Sequence, residues 1–281
     1  MRDNQPAAGA ASEVTLEDLR LDRPHSARMY DHFLGGKTNY EADREAAARA
    51  VTVYPGIVVL ARENRAFMHR ATRMLAEHGI RQFLDIGTGI PTRPNLHEVA
   101  QGVGPESRVV YVDNDPLVLV HAQALLDSSP EGRTAYIRAD ANQPEQILSA
   151  PELTATLDLS RPVALSLNAI VHFLPDERDP HGLIGRLLDA LPSGSALQMS
   201  HATPDFDPEA TARAVEIYRA SGTPAQVRTK QEVERFFAGL DLVEPGIEVA
   251  HRWRPDTPEG SARETPTDAE VSLWVGVAFK P

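Results

Sequence analysis

Residues 83–92 read FLDIGTGIPT. An apolar run reaches an acid, Asp85, and Gly87-Thr88-Gly89 follows at once. Glycine lets a chain turn tightly at a strand end and lets a ligand approach the backbone. A strand, such a turn and a following helix form the opening unit of a doubly wound α/β sheet. A dinucleotide fingerprint would carry a third glycine where Thr92 stands, and here Pro91 precedes it. That departure weakens the pyrophosphate reading, because a ligand without phosphates needs less of the helix N-terminus.

Downstream of this unit, short apolar runs alternate with segments about the length of one crossover helix. The runs at 82–86, 109–112, 135–137, 163–167 and 196–200 read as strands, and near-continuous apolar strands suit a parallel sheet covered on both faces. Residues 229–240 read as a helix, and 242–250 as a strand interrupted by Pro245-Gly246. A polar, proline-rich loop spans 252–268. The final run, EVSLWVGVAF at 270–279, alternates, with Val271, Leu273, Val275, Val277 and Phe279 on one face. Two closing strands joined by a loop predict an antiparallel addition to the sheet.

Upstream, Ala27, Tyr30, Phe33 and Leu34 recur at helical spacing, and Gly35-Gly36 is a natural helix stop. Thr38-Asn39-Tyr40-Glu41 fits a capping box for a second helix running to about Val51. Pro55-Gly56 breaks it, and a long helix carrying Leu60, Phe67, Ala71 and Leu75 on one face ends at Gly79. Residues 1–22, Ala-rich and polar, are expected to form a disordered leader.

Composition narrows the function classes. The chain has 281 residues, 42% of them hydrophobic, and a formal net charge of −12. An acidic balance argues against broad phosphate-backbone binding. With no cysteine, disulfides, thiolate metal sites and cysteine nucleophiles are excluded. No apolar run approaches a membrane span, and no secretory h-region is present, so a cytoplasmic protein is expected. The motifs of zinc hydrolases, phosphate loops and nucleophile elbows are missing.

Several polar residues fall at predicted strand ends, where ligands bind in such sheets. Asp113 ends the second strand in VVYVDNDP, 24 residues beyond Gly89, and can accept from both hydroxyls of a ribose. Asp115 reads as a helix cap with Pro116 at the first helical position. Asp140, in YIRADAN, can accept from an exocyclic adenine amine, with Asn142 the better helix cap. Asn168 stands at the fourth strand's end in LSLNAIVHFLPD. His172, four residues on, is the candidate general base, although packing at a helix start is the simpler role. His201, in MSHATPDF, favours packing too.

Taken together, RPHSARMYDHFLGGKTNYEADREAA, ENRAFMHRA, FLDIGTGIPT, YVDNDP, ADAN, VHFLPD and SHATPDF resemble an actinobacterial family of S-adenosylmethionine (SAM)-dependent methyltransferases. That class I family was first catalogued as a domain of unknown function. The motifs run from about residue 23 to 207, and the WRPD segment fits as well. The resemblance implies a seven-stranded Rossmann-like sheet of order 3-2-1-4-5-7-6 with strand seven antiparallel. It implies one domain over 23–281, with 23–79 a helical lid and 80–281 the α/β core.

By the same resemblance, Asp85, Gly87, Thr88 and Gly89 would surround the methionine part of SAM, and Asp113 would hold the ribose. Asn114, Asp140 and Ala141 would meet the adenine, and Asn168 would line the sulfonium region. In the lid, Tyr30, Lys37 and Asn39 would offer polar groups to the methionine carboxylate or the acceptor, and Arg65 is a further carboxylate candidate. A small-molecule acceptor is expected, with S-adenosylhomocysteine (SAH) as the other product, and neither nucleic acid nor membrane as partner. Oligomeric state is not readable. A SAM-binding regulatory protein and an NAD-dependent oxidoreductase are the rival readings. Whether the crevice beside Asn168 and His172 is open or plugged separates enzyme from regulator.

Overall fold

The computed structural model describes residues 19–125, 128–256 and 265–281. Most of the expected leader, as far as residue 18, lies outside these residues, as does 257–264 within the polar loop. The last part of the leader is placed on the protein. Leu19 packs against a small cluster of Ile90, Leu117 and Val118.

Three helices come first: α1 (Ser26–Phe33), α2 (Glu41–Val53) and α3 (Ile57–Glu77). Their ends follow the predicted punctuation. Gly35 adopts φ +78 and Gly79 φ +101, left-handed conformations that glycine takes without cost. One detail differs. The cap of α2 falls on Tyr40, and the reciprocal acid is Asp43, which accepts from the Tyr40 N–H at 2.8 Å. Thr38 and Glu41 do not form the expected box.

The sheet strands are β1 (Gln82–Ile86), β2 (Arg108–Asp113), β3 (Arg133–Arg138), β4 (Ala164–Leu167), β5 (Ala196–Ala202), β6 (Asp241–Leu242), β7 (Glu248–Val249) and β8 (Leu273–Phe279). Between β1 and β4 run α4 (Leu96–Val103), α5 (Pro116–Leu125), α6 (Pro144–Leu148) and α7 (Pro151–Thr156). Helices α8 (Pro180–Asp189), α9 (Pro208–Ala220), α10 (Lys230–Glu234) and α11 (Asp268–Val271) complete the set. The helix expected over 229–240 is shorter, and a 3-10 turn at Arg235–Phe237 follows α10.

Strand order is β3-β2-β1-β4-β5-β8-β6, with β7 also on β8. The first five strands pair in parallel and β8 is antiparallel to β5. This is the class I methyltransferase order. It has eight strands in place of seven because the sixth is split: Gly246 turns with φ +84 after Pro245, and both halves, β6 and β7, pair with β8. The closing strand is interior. Residues 273–278 are buried on both faces, so its alternation marks two kinds of packing and not a wet face.

Two apolar bodies hold the fold. The larger joins α3 to the sheet through Phe67, Ala71, Leu75, Phe83, Val110, Leu165 and Val275. The smaller joins the N-terminal helices to α9 through Met29, Phe33, Ala47, Ile57, Ala210 and Ala214. That second contact sets α1 and α2 beside the strands' carboxyl ends. Among the described residues, no helix is long and apolar enough to cross a membrane.

Candidate active site

One cavity of about 840 Å³ opens over the carboxyl ends of β1 to β4. Its size is near the upper end of the roughly 300–1,000 Å³ usual for small-molecule sites. Asp85, Gly87, Thr88, Gly89, Asp113, Asn114, Asp140, Ala141, Asn168 and His172 all line it. Ten residues scattered over 88 positions of sequence are thus brought to one wall by the parallel topology alone.

The turn after β1 is built on its glycines. Gly87 has φ +75, and a Cβ there would sit 2.6 Å from the Ile170 side chain, so no other residue fits unstrained. Gly89 has φ +68 and donates its N–H to Asp113 Oδ2 at 2.8 Å. Asp113 Oδ1 accepts the Asp115 N–H at 2.9 Å. A carboxylate has about four lone-pair sites, so Asp113 keeps acceptor capacity toward the cavity. Its burial raises the carboxyl above the usual range.

Asp85 accepts from Ser166 Oγ at 2.6 Å and Thr88 Oγ1 at 3.1 Å. Burial nevertheless pushes its carboxyl up to about 6. Ser166 in turn accepts from Asn168 Nδ2 at 2.8 Å and Gln198 Nε2 at 3.1 Å. The far atom of that amide, Asn168 Oδ1, is buried without a hydrogen-bond partner among the described residues. A buried carbonyl oxygen on a cavity wall is a place prepared for a ligand donor or cation. Asp140 Oδ1 accepts both the Asn142 N–H and its Nδ2. Asn142 does not cap a helix as expected, since the cap of α6 falls on Gln143.

The N-terminal helices supply the opposite wall, though not through all the residues anticipated. Tyr30 lines the cavity; its hydroxyl donates to the Ala61 carbonyl at 2.9 Å and accepts from Asn64 Nδ2 at 2.7 Å. Lys37 and Asn39 are not on the cavity wall. Lys37 is exposed. Asn39 is buried and gives its amide to Asp31 Oδ2 at 2.7 Å and the Gly36 carbonyl at 3.0 Å. Asp31 also accepts the Thr38 N–H, and a Cβ on Gly36 would overlap its carboxylate. The Gly-Gly-Lys-Thr-Asn stretch is therefore a turn wound around a buried Asp31, and it shapes the end of α1 without lining the cavity. Arg65 does line the cavity, with its guanidinium held by the carbonyls of Thr92 and Pro94.

The two histidines part company. His172 borders the cavity, where burial and the charge of Arg228 lower it to about 3. General-base work is best served by a pKa near the working pH, so the expected base is mismatched, and neutral imidazole is what the site contains. His201 is packed inside. It contacts Arg228 Nη1 through Nε2 at 2.9 Å and the Ala202 carbonyl through Nδ1 at 2.7 Å.

Sequence reading missed Arg28, Asn64 and Ser200. Arg28 is buried and pairs with Asp115 Oδ2 at 2.9 Å, while Asp115 Oδ1 accepts the Leu117 N–H. Asp115 thus caps α5 as expected and also anchors α1. Ser200 donates to Asn64 Oδ1 at 2.5 Å and accepts the Ala169 N–H at 2.7 Å. Asn64 stands among Arg62, Glu63 and Arg65, and Ser200 beside His201, so neither stands out in the sequence, and the two partners are 136 positions apart.

Among the described residues no group of three or more His, Asp or Glu side chains is placed to hold a metal. A family model described as S-adenosyl methyltransferase matches residues 12–281. No curated protein matches the chain. A DUF574 family protein of Streptomyces avermitilis is similar at 53% identity, over 94% of this chain and 100% of that one, with a TM-score of 0.90. A candidate methyltransferase of Thermobifida fusca is similar at 41% identity, over 93% and 97%, with a TM-score of 0.85. The plantazolicin methyltransferase BpumL, solved with SAH, is 13% identical over 91% and 95% with a TM-score of 0.51, a likeness of fold alone. On the full-length family match and these two actinobacterial relatives, the chain belongs to the S-adenosyl methyltransferase family and is a SAM-dependent methyltransferase.

Proposed function

We propose that the chain binds SAM along Asp113, Asp140 and the Gly87–Gly89 turn and methylates a small molecule held beside Asn168 and His172. One observation carries the reading. The cavity that starts at Asp113 and Asp140 continues past Gly87 and Asn168 to His172, Phe173, Tyr218 and the 221–227 segment. The crevice on the acceptor side is open, as an enzyme needs and a SAM-binding regulator does not.

The residues fit the cofactor. Asp113 retains acceptor capacity for a diol, Gly87 and Gly89 leave backbone accessible, and the lone Asn168 Oδ1 suits a positively charged neighbour. SAM, when bound, supplies a methyl group on a sulfonium, already a good leaving group. The chain's task is then alignment and exclusion of water. Asp85, fixed by Ser166 and Thr88, gains its full negative charge beside a cationic amino group. Tyr30 and Asn64, tied to each other, close the site from α1 and α3. His172, neutral, accepts or gives a hydrogen bond to the acceptor.

An oxidoreductase using NAD is disfavoured at the turn itself. Thr92, with its N–H capped by Asn95 Oδ1 at 3.0 Å, stands where the dinucleotide fingerprint needs a third glycine for close helix–strand packing. Thermal unfolding with SAM, SAH and NAD added separately tests the proposal. A ligand of the folded state stabilises by about 2.7 kcal/mol at a hundred times its dissociation constant. A shift with both adenosyl compounds and none with NAD is expected; a shift with NAD alone overturns the proposal.

A further inference from the structure

We infer that the acceptor is an uncharged, largely apolar ring compound methylated on a hydroxyl, and that it sits between the N-terminal helices and α9. The inference rests on the methyltransferase reading for the word acceptor, while the chemistry of this half of the cavity stands by itself.

The walls set the ligand's character. Phe33, Ile57 and Leu60 face the space from one side, and Phe173, Val215 and Tyr218 from the other. Most of them belong to the apolar body that joins the N-terminal helices to α9, so the space is a gap in a hydrophobic core. Aromatic and branched walls of this kind favour flat, apolar bodies.

The negative charge of the cavity lies at one end. The carboxylates lining the cavity are Asp85, Asp113, Asp115 and Asp140, all at or just after the ends of β1, β2 and β3. No lysine lines it among the described residues. Of the arginines that line it, Arg28 is paired with Asp115, Arg65 is held by the Thr92 and Pro94 carbonyls, and Arg20, Arg23, Arg138 and Arg178 reach the rim from exposed positions. An ammonium or carboxylate carried into the half beneath α9 would lose its hydration with no counter-ion. The polar groups that do meet this half are uncharged: the amide of Asn168, the imidazole of His172 and the phenol of Tyr218. Burial holds Tyr218 above its ordinary value and His172 below its own, so both stay neutral. Neutral donors and acceptors select a neutral nucleophile, and a hydroxyl is neutral at pH 7 where an aliphatic amine is not. In the transfer, the hydroxyl oxygen forms a bond to the methyl carbon as the sulfur–methyl bond breaks. The electron pair of that bond stays on sulfur, giving SAH, and the hydroxyl proton leaves to solvent water through the open crevice, with His172 staying neutral and holding the oxygen by a hydrogen bond.

The test uses the full chain and three probes of one shape: 2-naphthol, 2-naphthoate and 2-naphthylmethylammonium. SAH affinity is measured first by calorimetry and reads the cofactor end alone. Each probe is then titrated into free protein and into SAH-saturated protein. Naphthol is expected to bind at least about tenfold more tightly than either ion. Tyr218→Phe is expected to weaken naphthol severalfold and to leave naphthalene and SAH unchanged. Equal or tighter binding of either ion overturns the inference, and so does failure of all three probes. If Tyr218→Phe leaves naphthol binding unchanged, the hydroxyl assignment falls. If SAH does not bind, the methyltransferase reading falls, and the series on free protein still decides the chemistry of the apolar half.

Discussion

Arg28 Nε lies 2.9 Å from Asp115 Oδ2, and each residue is only 2% exposed. The pair joins α1 to the loop after the cavity-lining Asp113, two residues before Asp115. Around it, His25 Nδ1 is 3.3 Å from the same oxygen, and Arg28 also donates to the Leu19 carbonyl at 2.9 Å. A buried pair contributes little net stability against an apolar substitute, but removing one partner strands the other. Arg28→Ala should therefore cost about 3–5 kcal/mol in urea unfolding. Arg28→Met combined with Asp115→Asn, which retains an oxygen for the Leu117 N–H, should cost less than the sum of the two single changes. Additivity within about 0.5 kcal/mol would show that the two residues are not coupled.

The turn around Asp31 gives a contrast between neighbours. Asn39 is buried and bonded to Asp31, whereas Lys37 is exposed and away from the cavity. Lys37→Ala should change stability by less than about 0.5 kcal/mol, as surface substitutions do, and leave SAH affinity intact. Asn39→Ala leaves an acid short of a donor and should cost roughly 1–3 kcal/mol. A loss of SAH affinity in Lys37→Ala, measured by calorimetry, would restore that side chain to the site.

Asp85 and His172 predict opposite pH dependences. Asp85 rises from 3.8 to about 6 on folding, chiefly through burial. The folded chain then holds more protons between these values, so this group's contribution is full below 3.8 and is lost as pH rises through 6. His172 falls from 6.5 to about 3. There the unfolded chain binds the extra proton, so the contribution is present above 6.5 and declines toward pH 3. Asp85→Asn should thus stabilise the protein by about 1–3 kcal/mol at pH 8 and little at pH 4, while weakening SAM binding. Denaturant midpoints across pH 4–8 check the sign. Turnover should carry no ionisation of His172 between pH 5 and 8, and a limb there that vanishes in His172→Ala would refute its neutral role.

How far the sequence exposed this architecture depends on the range of the interaction. Strand limits were readable because each is an apolar run, and β1 falls on the expected residues 82–86. Asp85, Asp113, Asp140 and Asn168 were readable because parallel topology puts every strand's carboxyl end at one edge. The split of the sixth strand was hinted at by Pro245-Gly246, but its pairing of both halves with β8 is a tertiary fact. Lys37 and Asn39 misled because a glycine-rich polar turn looks alike whether it holds a ligand or a buried aspartate. Arg28 was hidden by its type, since an arginine on an amphipathic helix ordinarily faces solvent.

A strained corner holds the side chain that faces both halves of the cavity. Ala169, directly after Asn168, has φ +53, a left-handed conformation costing an L-residue roughly 1–2 kcal/mol. Its N–H is fixed by Ser200 Oγ at 2.7 Å, and Ser200 is fixed by Asn64, which is bonded to Tyr30. The chain of hydrogen bonds thus runs from α1 through α3 to the corner that carries Asn168. Ala169→Gly removes the steric cost but adds glycine's backbone entropy, about 0.5–1 kcal/mol, so stability should change by less than about 1 kcal/mol in either direction. Ser200→Ala instead leaves the Ala169 N–H and Asn64 Oδ1 unpaired and should cost about 1–3 kcal/mol. If the corner positions Asn168 for transfer, Ser200→Ala should lower kcat more than it weakens SAH, and Ala169→Gly should keep both near wild type. Equal losses of kcat and SAH affinity in Ser200→Ala would mean that the corner supports binding alone.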